Sequence, residues 1–248
     1  MSKEYQTSQL HKAIAAAASR TSSETMNGYG RFWDAYTATG EVLYVLNEQG
    51  AHNPAGEVSE SVSKRISLTT GLLKSTIIVE QAITCGFYWA ASALLRQHME
   101  ALARVIHIRK GEAGTERKPP HVGVLPFDLA RNYGRLSELA HVSSGELIGD
   151  FSVCENSELV ASSLPIYRKD WANNLLATHT VHMITLAAEI HYLHTEIYPV
   201  KELWDVNKQL YEVAKILEEL GHWKELNQSA GGESGKGRLF SPSSQGRT

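Results

Sequence analysis

Residues 88–110 read YWAASALLRQHMEALARVIHIRK, and their spacing decides the fold class. At about 100° of rotation per residue, Tyr88, Leu95, Met99, Leu102 and Ile106 fall within about 60° of one another. An apolar stripe of that width is the face a helix buries against a core. A polar line runs beside it. With Arg96 at zero, Glu100 lies at about 40° and His107 at about 20°. Ala90, Leu94 and Ala101 make a second apolar face beyond that line. Charges caught between two apolar faces are partly desolvated and need partners. Arg96 and Glu100 therefore read either as a pair that fixes helix register or as a cation held ready for a ligand, oriented by the carboxylate.

The same period extends outward. Segment 75–95, STIIVEQAITCGFYWAASALL, is long enough to cross a bilayer, but Glu80 and Gln81 stand near its middle. It reads as buried core, and no membrane association is expected. Helical stretches are predicted over 4–20, 30–49, 58–84, 87–110, from a cap at Asp128 to about His141, from Pro165 to about Tyr198, and over 199–220. Gly86 marks a bend or short turn, and GAHNPAGE at 50–57 is a turn. Residues 110–126 form a Gly- and Pro-rich loop, 141–165 have little period, and 228–248 are Gly/Ser-rich and almost without aliphatics. No alternating strands or tandem repeats occur. The expected architecture is all-α: a single-domain, mostly antiparallel helical bundle over 1–227, followed by a disordered C-terminal tail, 228–248.

Composition agrees with a packed core: 42% of the 248 residues are apolar and 21% charged. A net charge of −3 excludes binding to nucleic acid or anionic lipid by global charge. Between Arg96 and His141, however, eight basic residues face five acidic ones. Two distant cysteines make no disulfide framework, and the N-terminus MSKEYQTSQL lacks the apolar region of a signal peptide. A reducing, cytoplasmic setting is expected.

Several familiar motifs fail on inspection. GGESGKG at 231–237 is no phosphate loop, because Ala230 stands where the first glycine is needed and Gly237 where Ser or Thr is needed. His179/His182 and His191/His194 form two His-x-x-His pairs, but nine residues place them about 180° apart on one helix. They read as surface or capping histidines, and neither a metal nor any other cofactor is expected. No Gly-x-Ser-x-Gly elbow occurs, and Cys85 in its apolar setting reads as a packed thiol.

A second segment, RNYGRLSELAH at 131–141, carries the other candidate residues. Leu129, Tyr133, Leu136 and Leu139 or Ala140 supply its apolar stripe. His141 follows Ser137 by four residues and Glu138 by three, so Glu138 can hold the imidazole in one tautomer. Arg135 lies six residues before His141, about 120° away on a regular helix. A broken last turn or a two-fold dimer could reunite them.

The pair of segments LLRQHMEALARVIHI and YGRLSELAH resembles a group of helical bacterial proteins with an Arg-x-x-x-Glu helix followed by a Leu-Ser-Glu-x-x-His segment. The Arg-x5-His spacing is similar to the motif of the HEPN superfamily. The resemblance spans about 75–142 and rests on Arg96, Glu100, Arg135, Ser137, Glu138 and His141. It implies an α-helical, often dimeric, metal-independent ribonuclease of a toxin or phage-defence system. His141 would then be general base or acid, Arg135 and Arg96 would stabilise phosphorane charge, and Glu100 and Glu138 would orient them. The 2′-hydroxyl requirement implies RNA as partner and no DNA. The rival expectation is a non-catalytic helical interaction or ligand-sensing module, with Arg96, Glu100 and His141 as a buried polar cluster.

Overall fold

A computed structural model describes residues 8–53, 56–112, 119–126, 129–140, 164–198 and 206–221. Among them the elements are α1 (Gln9–Tyr29), α2 (Arg31–Ala51), α3 (Glu60–Thr84), α4 (Tyr88–Arg109), a 3-10 turn (Val122–Val124), α5 (Leu129–Ala140), α6 (Lys169–Ile197) and α7 (Asn207–Glu219), with no strand. The protein is an all-α helical bundle. The predicted cap Asp128, the irregular segment 141–163 and the tail 228–248 lie outside the described residues.

Helix starts follow local chemistry. Ser8 and Ser59 accept hydrogen bonds from the backbone N–H of His11 and Val62, each satisfying one orphan donor of a first turn. The α3–α4 hairpin turns at Cys85, Gly86 and Phe87. Gly86 has φ +80°, and a Cβ there would meet Thr21 Cγ2 at 2.8 Å and the Ile166 carbonyl oxygen at 2.9 Å. Only glycine satisfies both the left-handed backbone and that close approach.

Helix α6 runs through the middle, packed by α2, α3 and α4; α5 lies on α4, and α7 on α2. From Trp171 to Ile190 nearly every position of α6 is buried, on all sides of the helix. The stripe Tyr88, Leu95, Met99, Leu102 and Ile106 on α4 is buried as the spacing predicts. Each fully buried side chain of this kind contributes about 1.5–3 kcal/mol.

Two expectations change. Helix α1 continues nine residues past position 20, through TSSETMNGY. Its buried residues Ala17, Thr21, Thr25 and Tyr29 recur every four positions, and the Thr25 hydroxyl donates to the Thr21 carbonyl at 2.7 Å. Threonines that satisfy their own hydroxyls within the helix can line a core, although they read as polar in the sequence. Segment 75–95 is also not buried throughout: Ile77, Ile78, Phe87 and Trp89 are exposed. It is a hairpin of two helix ends, and only its inner face meets the core. No described helix is long and apolar enough to cross a membrane.

Candidate functional site

Helices α4 and α5 bring part of the predicted constellation together. Arg96 Nη2 lies 3.0 Å from Glu100 Oε1, one helical turn away, and both side chains are about three-quarters buried. The Tyr133 hydroxyl on α5 donates to the same Glu100 oxygen at 2.8 Å, and the Arg96 guanidinium sits 5.7 Å from the Tyr133 ring centroid. The three side chains close on one another and fasten α5 to α4. His107, the last member of the polar line, lies 2.9 Å from Glu112 Oε2 through Nδ1 and 3.1 Å from the His121 carbonyl through Nε2.

Arg135 stands elsewhere. Tyr133 and Arg135 are two residues apart, about 200° around α5. Tyr133 faces α4, while the Arg135 guanidinium lies 4.7 Å above the Trp171 ring of α6. Arg96 and Arg135 are therefore not brought to one point. Arg135 is solvent-exposed and lines a pocket of about 240 Å3 between α5 and α6, together with Asn132, Asn174, Thr178 and the apolar floor Leu136 and Leu175. It is the one charged residue among the described residues that line this pocket. A guanidinium held over an indole by cation–π attraction keeps N–H donors to offer a ligand.

Glu138 is exposed on α5. His141 lies outside the described residues; in sequence it follows directly on the last residue of α5. The end of that helix is anchored by Trp89, whose indole N–H donates to the Leu139 carbonyl at 3.0 Å.

The expectation of surface or capping histidines on α6 is corrected. His179, His182 and His194 are buried and His191 is half-buried, because α2, α3 and α4 all pack on α6 and a 180° separation does not put either pair on a solvent face. Burial pushes the His98 and His182 pKa values down to about 4 and about 3, and that of His179 well below the ordinary imidazole range. Three neutral imidazoles thus sit between α4 and α6. No group of three or more His, Cys, Asp or Glu among the described residues is placed to hold a metal ion.

Sequence reasoning missed Trp171, Asn132, Asn174 and Thr178 as pocket residues. The one signal available was the i, i+4 spacing of Asn174 and Thr178 on α6, which places both on one side of the helix. A second, mainly apolar pocket of about 280 Å3 lies between α2, α3 and α6, lined by Leu46, Ile66, Leu73, Leu193 and His194 among others. Nearby on α3, Arg65 is buried and pairs through Nη1 with Glu196 Oε2 at 2.6 Å. On α4, Arg109 grips the buried Glu189 with two bonds of 2.9 Å and lies 4.4 Å from the Tyr192 ring centroid. Compared with protein-family models, curated proteins and solved structures, the chain finds a match in none of the three.

Proposed function

We propose that this chain is a metal-independent, HEPN-like ribonuclease that takes the RNA phosphate at Arg135. The observation that carries the reading is the α5–α6 pocket: it is polar, open, and lined by a single cation held over Trp171, with no described carboxylate in its wall. Such a wall suits a phosphodiester anion. In this reading His141 exchanges a proton with the ribose 2′-hydroxyl or the leaving 5′-oxygen, and Arg135 stabilises the charge that develops on phosphorus. Glu138 orients His141. Arg96 and Glu100 act at one remove, holding α5 in place through Tyr133. Two copies of the chain would pair to bring Arg135 and His141 onto one phosphate, in the cytoplasm of a bacterium, as part of a toxin or defence system.

The test is incubation of the purified protein with labelled mixed RNA and matched DNA in EDTA, beside Arg135→Ala and His141→Ala, with circular dichroism to confirm folding. RNA cleavage that both folded variants lose, with DNA untouched, is the expected result. Light scattering of the same samples should give a dimer. A protein that binds RNA or nothing, and cleaves neither, removes the catalytic reading.

A second reading has its own support. The Arg96–Glu100–Tyr133 cluster is closed, as an architectural element would be, and the apolar pocket between α2, α3 and α6 offers room for a small molecule. On that reading the chain is a non-catalytic interaction or ligand-sensing module, and Arg135→Ala leaves its activity unchanged.

A further inference from the structure

His98 on α4 and His179 and His182 on α6 line a cavity of about 10 Å3, together with Leu72 and Thr76 of α3 and Leu102 of α4. That volume is close to the roughly 10–15 Å3 needed to admit one water. The wholly buried His179 has the Thr76 backbone as its one hydrogen-bonding neighbour, and Nε2 of His182, 2% exposed, has no hydrogen-bond partner. Buried polar atoms left in that state are rare and costly in folded proteins.

Proton accounting defines what the site lacks. Nδ1 of His182 lies 2.7 Å from the Thr178 carbonyl, which only accepts, so Nδ1 carries the hydrogen and Nε2 presents a bare lone pair. The Ser75 hydroxyl contacts both the Leu72 carbonyl at 2.8 Å and Nε2 of His98 at 2.7 Å. Both are hydrogen bonds at once only if Ser75 donates to the carbonyl and accepts from His98, which leaves Nδ1 of His98 as a lone pair. On His179 the N–H turns to the Thr76 backbone carbonyl, which leaves the other nitrogen as a lone pair. The set presents lone pairs and calls for a small partner with hydrogens to give.

Ring spacing separates the two small partners that imidazoles commonly share. Around a water at about 2.9 Å from each nitrogen, two ring centroids at a tetrahedral angle stand roughly 6.5 Å apart. Around a tetrahedral metal ion at about 2.1 Å they stand roughly 5.2 Å apart. The observed centroid distances are 6.3 Å from His98 to His179 and 6.4 Å from His98 to His182. Of the other polar side chains at the cluster, Ser75 is bonded to His98, the Thr76 hydroxyl donates to the Leu73 carbonyl at 2.8 Å, and Tyr36 of α2, its ring centroid 5.7 Å from that of His179, is committed to Glu80 of α3 at 2.6 Å.

We infer that His98, His179 and His182 hold one ordered water molecule between α3, α4 and α6, in a site built for water and not for a metal ion. The test uses the full-length wild-type protein. Metal analysis after purification without chelator should find no stoichiometric metal, and EDTA should leave the melting temperature unchanged. A high-resolution crystal structure should show one peak at hydrogen-bond distance from at least two of the three rings. Long-range proton–nitrogen spectra should show His182 as the Nδ1–H tautomer. Stoichiometric metal whose removal lowers the melting temperature would overturn the inference, as would an empty cavity or a His182 protonated at Nε2.

Discussion

Acidification should unfold this protein through three core histidines. His98, His179 and His182 all have folded pKa values pushed below the ordinary imidazole value near 6.5, chiefly by burial. Above about pH 6.5 both the folded and unfolded chains keep these rings neutral, and the bundle has its full stability. As pH falls below that value the unfolded chain binds protons that the folded chain refuses, so stability declines. The decline continues toward the folded values, about 4 for His98 and about 3 for His182, below which the folded rings would also charge. Each proton taken up only on unfolding costs about 1.4 kcal/mol per pH unit, so three cost about 4 kcal/mol per unit. Against a typical domain stability of about 5–15 kcal/mol, the transition arrives before the core histidines reach their folded pKa values. Urea melts followed by circular dichroism at half-unit steps from pH 7.5 to 4.5 measure the slope. His98→Gln should reduce it by about one proton, since that ring is one of the three. A slope between pH 6.5 and 5 worth less than one proton, or a His98→Gln slope equal to wild type, would refute the claim that these rings are neutral because they are buried.

Three other perturbations test the packing. Tyr133→Phe should cost about 1 kcal/mol by removing the bond to Glu100, and a cycle with Arg96→Ala should show coupling of about 0.5–1 kcal/mol in urea melts; zero coupling would mean that the cluster does not act as a unit. Gly86→Ala should destabilise by about 2 kcal/mol or more, because it combines φ +80° with contacts under 3 Å to Thr21 and Ile166; a melting temperature within a degree of wild type would contradict the hairpin geometry. Arg65→Met should leave stability within about 1 kcal/mol of wild type or raise it, since Arg65 is buried with Nε and Nη2 unpartnered and a single ion pair to Glu196. A loss above about 3 kcal/mol would show instead that the buried charge holds α3 to α6.

What the sequence reveals here is what a single helix determines by itself. The apolar stripe of α4, the Arg96–Glu100 pair one turn apart and the apolar face of α5 are intrahelical facts, fixed by rotation per residue, and the structure keeps all three. What it conceals depends on how many neighbours a helix has. Leu, Ala, Thr and His alternate around α6 with little preference for one face, and such a pattern does not distinguish a helix wrapped on all sides from one with a wet side. Only the three-sided packing by α2, α3 and α4 makes His179 and His182 core residues, and only the arrival of α4 sets His98 beside them. The division at α5 has the same origin. Two residues of one short segment, Tyr133 and Arg135, meet side chains 33 residues upstream and 36 downstream, Glu100 and Trp171, and so serve two different ends. Arg96 is drawn into the fastening of α5 to α4, and Arg135 is left as the exposed cation. Any chemistry this protein performs on a phosphate would therefore act on the α6 side of α5, and the Arg-x-x-x-Glu motif would support it only by fixing where that helix lies.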